Sequence, residues 1–320
     1  MRAMRVHALN EPLRLDEAET PSPGPGEVLL RVEACGVNFG DTLMVKGTYQ
    51  EKPDLPFAPG MEVAATVAAQ GEGVKFPKVG DRVAALSGHG GFAEHVCAPA
   101  TSCVPVPDGM PAEHVAAFLV AYGTSHVGLD YRAKLQPGET LLVLGAAGGV
   151  GLTAVEIGKL MGATVIACAR GAEKLAVARE VGADHLIDSD TDDIREAVKA
   201  LGGADVVYDP VGGDQFMAAM RATKPEARLL PLGFASGDVP QIPANILLVK
   251  NLTVHGFYWG AYSRFKPQVL VESFRQLFAW YGEGKLKPHV SHALPLEQAN
   301  EALDLLTSRK ATGKVVLTMT

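Results

Sequence analysis

The segment Leu141-Leu142-Val143-Leu144-Gly145-Ala146-Ala147-Gly148-Gly149-Val150-Gly151 has residue types suited to holding a pyrophosphate. An apolar strand runs into a glycine-rich turn that opens a helix. Such a turn lets backbone approach phosphate oxygens while the first N–H groups of the helix point at them. Gly148 supplies the close approach and Gly151 lets helix and strand pack tightly. Ala146 stands where the first glycine of a dinucleotide fingerprint is usual, with Gly145 just before it. A second apolar strand, Thr164 to Ala169, completes a strand-helix-strand unit. A cofactor site is therefore expected at Gly145, Ala146, Ala147, Gly148, Gly149, Val150 and Gly151.

The end of that second strand bears on which cofactor. Sites for NAD usually place an acid there for the ribose hydroxyls, and sites for NADP place a cation near the 2'-phosphate. Here the text reads Ala167-Cys168-Ala169-Arg170-Gly171-Ala172-Glu173-Lys174, with no acid at the tip. Arg170 and Lys174 are the expected phosphate ligands, and NADPH the expected cofactor. The alternative is that both are solvated surface charges and Glu173 serves the helix start.

These segments need elements to hold them. With 320 residues the chain is long enough for about two domains. Hydrophobic residues make up 47% and charged residues 20%, which excludes extensive disorder. Residues 1 to about 110 read as short strands: Val28 to Ala34 alternates apolar and polar, and Val63 to Ala69, Arg82 to Leu86 and Phe92 to Ala98 follow between glycine-bearing turns. From Pro111 the period becomes helical, Ala112 to Lys134, with a break expected near Gly123. From Leu141 strands and helices alternate through Leu252 to Phe257, the pattern of a doubly wound parallel sheet. Helices at Pro267 to Tyr281 and Leu296 to Ser308 and a strand at Gly313 to Thr318 close the chain, the strand being able to return to the first domain.

A net charge of -7 lacks the basic field that nucleic acid or an anionic membrane surface would need. No apolar run reaches the ~18 residues of a membrane span, and no signal peptide is visible, so a cytoplasmic protein is expected. The four cysteines, Cys35, Cys97, Cys103 and Cys168, form no C-x-x-C pair and read as reduced thiols.

Taken in order, Cys35-Gly36-Val37-Asn38-Phe39-Gly40-Asp41-Thr42, Pro59-Gly60-Met61-Glu62-Val63, Val79-Gly80-Asp81-Arg82-Val83, the 146–151 turn and Asp205 to Gly213 span most of the chain. In this combination the sequence resembles the medium-chain dehydrogenase/reductase superfamily, and within it the zinc-free quinone oxidoreductase branch that includes the zeta-crystallins. The resemblance implies an α/β architecture: a GroES-like β-rich catalytic domain from residues 1–120 and 260–320, a Rossmann domain from 121–259 inserted into it, and a cofactor cleft between them. It implies NADPH:quinone oxidoreductase activity and a homodimer paired through the strand around Leu252 to Phe257.

Zinc alcohol dehydrogenases carry a cysteine and a histidine where this chain has Asn38 and Met61. An amide and a thioether do not replace thiolate and imidazole on Zn2+. Cys35, Glu62 and His95 are conceivable ligands, and His289 and His292 have a helical ligand spacing but read as loop residues. No metal is expected. Without a Lewis acid, hydride addition to an electron-poor quinone or enone is the easier chemistry, since it needs mainly positioning and hydrogen-bond donors. The resemblance places Asn38, Asp41 and Tyr49 around the cleft. Asn38 would donate its amide to the acceptor or the nicotinamide ribose. Tyr49 would donate a hydrogen bond or a proton, or merely shape the rim, and Asp41 suits a turn-capping role better. Gly233, Phe234 and Ser236 end the fifth Rossmann strand, Phe257 and Tyr258 resemble a wall beside the nicotinamide, and Lys314 is near enough the C-terminus to return to the cleft. A reductase of acryloyl or enoyl thioesters, with Lys46, Lys52, Arg264 and Lys266 as candidate CoA contacts, and a non-catalytic NADPH-binding protein of the crystallin kind are the alternatives.

Overall fold

The computed structural model describes residues 1–319 and divides the chain into two compact units. One is Met1–Val120 together with the segment from Pro288 onward; the other is Ala121–Lys287.

The first unit is built on a mixed sheet with strand order Val290–Pro295, Lys314–Thr318, Glu27–Val37, Glu62–Gln70, Arg82–Leu86, Cys103–Pro105, and His95–Pro99 also pairs with Glu27–Val37. The alternation read in Val28 to Ala34 is real: Val28, Leu30, Val32 and Ala34 are buried, while Arg31 is exposed. The C-terminal strand does return here, lying antiparallel to Glu27–Val37 with Val315 opposite Val37 and Leu317 opposite Cys35. That pairing brings residue 314 beside residues 37 and 38, which no local pattern encodes.

In the second unit six parallel strands take the order His185–Asp188, Thr164–Ala169, Thr140–Leu144, Ala204–Asp209, Thr223–Pro231, Thr253–Val254. This is the doubly wound order, and its direction reverses beside Thr140–Leu144, at whose carboxyl end ligands bind in such sheets. All five residues of that strand are buried, as expected where helices cover both faces. Leu142, Leu144, Val207, Phe216, Met220 and Leu229 belong to one core cluster.

Three expectations are corrected. Residues 260–287, expected with the first domain, lie in the second unit. The reason is an apolar helix face: Val269, Leu270, Phe274 and Leu277 of the helix Pro267–Gly282 are buried, and His126 Nδ1 meets Ser273 Oγ at 2.9 Å. The helical stretch breaks at Ala117 and Phe118, between Ala112–Ala116 and Leu119–His126, not at Gly123. Gly123 is a packing glycine; a Cβ there would sit 2.7 Å from the Trp259 ring. The sixth strand is only Thr253–Val254, because Phe257 turns in to pack over Gly128, a Cβ on which would lie 3.3 Å from the Phe257 ring.

Candidate functional site

The glycine turn in the second unit has the geometry its sequence promised. Gly145 adopts φ 59°, open to glycine at little cost, and its missing side chain lets it lie against Val211 and Pro210 of the turn after Ala204–Asp209. Ala146 donates its N–H to the Cys168 carbonyl at 3.0 Å and Gly148 to the Gly145 carbonyl at 2.9 Å, which holds the turn against the neighbouring strand. Gly148 is the cap of the helix Gly149–Leu160 and, having no side chain, makes no capping hydrogen bond to its first turn. The leading N–H groups of a helix have no intrahelical acceptor, so Gly149, Val150 and Gly151 present theirs together with the positive end of the helix dipole. A Cβ on Gly151 would collide with the carbonyl of Gly145, whereas a Cβ on Gly148 would meet nothing nearer than that carbonyl at 3.4 Å. Glycine is thus required at 151 by the protein itself. At 148 the protein leaves the space open, the cradle an approaching phosphate would fill.

Two further turns meet this one. The Asp209 carboxylate accepts the N–H of Val211 at 2.7 Å and of Gly212 at 3.0 Å, and burial pushes its pKa up to about 6. Gly233, Phe234 and Ser236 pack on that turn: Ala235 donates to the Pro210 carbonyl and Ser236 to the Val211 carbonyl. Ser236 Oγ is bound locally to the backbone of Asp238, while Phe234 stays exposed. Phe257 is packed against Tyr262, ring centroids 5.8 Å apart, and Tyr258 is exposed.

Arg170 lies at the end of Thr164–Ala169 and is exposed, its Nε 3.0 Å from Asp190 Oδ1. The sequence reading missed Asp190; an acid two residues past the third strand's end is the signal it left unused. Asp188 Oδ1 accepts the N–H of Gly171 at 3.0 Å, and that bond with the Asp190 N–H holds its carboxyl below the usual carboxylate range. Lys174 is half-buried in the first turn of Ala172–Glu180.

In the first unit, Asn38, Asp41 and Lys314 come together around a residue considered only as a metal ligand, Glu62. Lys314 Nζ donates to Asn38 Oδ1 at 2.6 Å, to Glu62 Oε1 at 2.8 Å and to the Val37 carbonyl at 3.2 Å. Those are the three protons an ammonium has. Lys314 thus spends its charge inside this unit. Glu62, 1% exposed, also accepts from Asn38 Nδ2 at 3.1 Å and, through Oε2, from the Val120 N–H at 2.9 Å. The second Asn38 amide proton goes to the Gly36 carbonyl at 3.3 Å, the longest bond of the set. An acid inside the apolar run Met61 to Ala65 was the sequence signal for a buried cation partner.

Asp41 caps the helix Phe39–Val45. Its carboxylate accepts the N–H of Asn38 at 2.8 Å and of Gly60 at 2.9 Å, and burial raises its pKa to about 7 against those bonds. Tyr49 is half-buried; a Cβ on Gly40 would lie 3.2 Å from its ring and 2.6 Å from the Met61 methyl. Cys35 is fully buried, and desolvation pushes its thiol well above the ordinary range. Among the described residues no group of three or more His, Cys, Asp or Glu gathers as a metal site, and no helix is long and apolar enough to cross a membrane. His289 Nε2 lies 2.9 Å from Thr312 Oγ1 and His292 Nδ1 2.9 Å from Ser291 Oγ.

Residues 24–108 match the family model of the alcohol dehydrogenase GroES-like domain, and residues 149–275 match that of the zinc-binding dehydrogenases. The chain is 42% identical to a quinone oxidoreductase-like protein 2 homolog of Nematostella vectensis, over 99% of this chain and 88% of that protein. Among solved structures it is similar to the quinone oxidoreductase of Thermus thermophilus, whose complex with NADPH is also known, with 35% identity, a TM-score of 0.88 and full coverage of both chains. The Escherichia coli quinone oxidoreductase complexed with NADPH superposes with a TM-score of 0.92 at 30% identity, covering 99% of this chain and 100% of that one.

Proposed function

The chain belongs to the medium-chain dehydrogenase/reductase superfamily, among its quinone oxidoreductase-like members, and from that premise we propose that it is an NADPH-dependent reductase of quinones or enones that works without a metal. The observation that carries the reading is the open cradle at Gly148 under an uncapped helix N-terminus, on a sheet of doubly wound order. The residues present fit a dinucleotide: backbone N–H groups of 149–151 for the pyrophosphate, and Arg170 for a 2'-phosphate.

When bound, NADPH supplies a hydride, and with one proton from solvent or a protein donor the acceptor becomes a hydroquinone or a saturated ketone. The chain's own part is binding and orientation. Lys314 and Glu62 hold the Asn38 amide in one rotamer, with its carbonyl toward the ammonium and its N–H groups toward Glu62 and Gly36. The proton shared with Gly36 at 3.3 Å is the one that an acceptor oxygen or ribose hydroxyl would take over. In this proposal Tyr49 donates a hydrogen bond to the developing oxyanion, or shapes the rim of the acceptor site.

Metal independence is supported by the state of Glu62, the acid that would face a cation. Its Oε1 is already paired with the Lys314 ammonium at 2.8 Å, so a metal there would meet a fixed positive charge. A homodimer through the strand around Leu252 to Phe257 is supported by the outer position of Thr253–Val254 in its sheet and by exposed Leu248 and Val249 beside it.

The test is oxidation of NADPH, followed by absorbance, against 1,4-benzoquinone, 2-cyclohexenone and crotonyl-CoA, with zinc-chelated protein. Turnover of the quinone or the enone that survives chelation is expected. Turnover of crotonyl-CoA alone assigns a thioester reductase, and NADPH binding with no turnover of any acceptor assigns a binding protein; either overturns the reading.

A further inference from the structure

The second unit contains a cavity of about 490 Å³ whose lining shares only Tyr258 with the residues expected at the cofactor. It opens between the π-helical turn Val127–Arg132 and the segment that follows Thr253–Val254. Its walls are Tyr131, Tyr258, Tyr262 and Phe265, and Arg132 and Lys266 bring two positive charges to it. Tyr131 and Tyr262 meet edge to face at 6.1 Å between centroids, and Tyr262 leans on Phe265 at 4.7 Å, so the rings brace one another. Phe265 and Tyr258 are exposed at the rim.

The charges are poorly compensated. Lys266 Nζ donates to the Tyr131 hydroxyl at 2.6 Å and stands 5.1 Å from the centre of that ring, and among the described residues no salt bridge to it is found. Arg132 gives one Nη2 proton to the Gly256 carbonyl at 3.0 Å, while its Nε is buried with no hydrogen-bond partner. A buried, unpartnered guanidinium N–H is costly unless something satisfies it. Nearby, burial and then the charges of Arg132 and Arg228 push the His255 pKa down. Arg228 pairs through Nη2 with Glu139 at 2.6 Å, while its Nε, like that of Arg132, is buried without a partner.

Flat aromatic walls take a planar ring, and a cation with an unfilled N–H takes a negative oxygen. The volume is within the range of small-molecule sites. We propose that this cavity is a binding site for planar aromatic anions: one or two fused rings carrying a carboxylate, a sulfonate or an ionised hydroxyl, with the ring against Tyr131 and Tyr262 and the charge at Lys266 and Arg132. Such a ligand is either an acidic aromatic acceptor or an aromatic acid that binds without being reduced.

The test uses the whole protein and the redox-inert probe 2-naphthalenesulfonate, with neutral 2-naphthalenemethanol beside it, by titration calorimetry. The sulfonate is expected to bind saturably and at least about fivefold more tightly than the alcohol. Lys266→Met is expected to erase that preference and Lys266→Arg to retain it, with thermal midpoints unchanged because residue 266 is exposed. Tyr131→Leu is expected to weaken both probes. Absence of saturable binding, or a sulfonate affinity that Lys266→Met leaves unchanged, overturns the proposal. Inhibition by the sulfonate that is competitive with 2-methyl-1,4-naphthoquinone assigns the site to the acceptor; binding without competition assigns it to a non-reacting acid. Because binding is read without turnover, the result stands apart from the success or failure of the reductase assignment.

Discussion

The Lys314 ammonium lies 2.8 Å from Glu62 Oε1, in a pair of which one side chain is 6% and the other 1% exposed. It joins the last strand of the chain to a strand of the N-terminal half, and through Asn38 Oδ1 to the start of the first helix. An ion pair this deep adds little net stability relative to an apolar pair of the same shape, but removing one partner leaves a bare buried charge.

Lys314→Met is therefore expected to destabilise the protein by about 3–5 kcal/mol. The double variant Lys314→Met with Glu62→Gln is expected to recover part of that loss, since no unpaired charge remains. Urea midpoints of the wild type, both single variants and the double variant give the coupling. Additive single effects would show that the pair is not coupled.

Gly148→Ala and Gly151→Ala separate cofactor crowding from protein crowding. At 148 the free protein has room for a methyl group, so the variant is expected to keep its thermal midpoint yet bind NADPH about tenfold or more weakly. At 151 the methyl collides with the Gly145 carbonyl, so stability is expected to fall along with affinity. Fluorescence titration and thermal melts of both variants decide the matter. A Gly148→Ala protein with unaltered affinity removes the cradle from the cofactor site.

Asp190 pairs with Arg170, and a 2'-phosphate held by Arg170, as proposed, would compete with it. Both side chains are about half exposed, where such pairs are weak, so Asp190→Asn is expected to tighten NADPH binding only about two- to fivefold. NADH, which lacks that phosphate, is expected to bind as before. Equal changes for the two cofactors would sink the assignment of Arg170.

Burial raises the Asp41 pKa to about 7, above the ~4 of an unfolded aspartate. Between those values the folded protein binds the proton more tightly than the unfolded chain. The stabilisation from this group is thus full below about pH 4 and lost as pH rises to about 7. Asp209, raised to about 6 by burial, acts in the same direction over a narrower window. Urea midpoints measured from pH 5 to pH 8 are expected to fall more steeply in the wild type than in Asp41→Asn. Parallel slopes would show that Asp41 is already ionised at pH 5.

Much of this molecule is local and therefore readable in the chain. The turn at 145–151 combines a strand, a glycine turn and a helix start within eleven residues, and the alternation at 28–34 sets which face of that strand is buried. The doubly wound sheet follows from strand and helix alternating at short spacing, since each parallel strand needs a crossover. By itself the sequence thus determined the fold class and the strand, glycine turn and helix start at 141–151. The partners of long side chains were decided elsewhere. Lys314, expected to line the cofactor, gives its charge to Glu62 and Asn38, because antiparallel pairing of the last strand with Glu27–Val37 sets Val315 opposite Val37 and so brings Lys314 beside Asn38. Arg170 meets Asp190 only because two parallel strands end side by side. Residues 260–287 joined the second unit because their helix had an apolar face to bury and Gly123 left room for Trp259. A charge or an apolar face states a need that composition reveals; which group meets it depends on segments far apart in the chain, and only the tertiary structure brings those together.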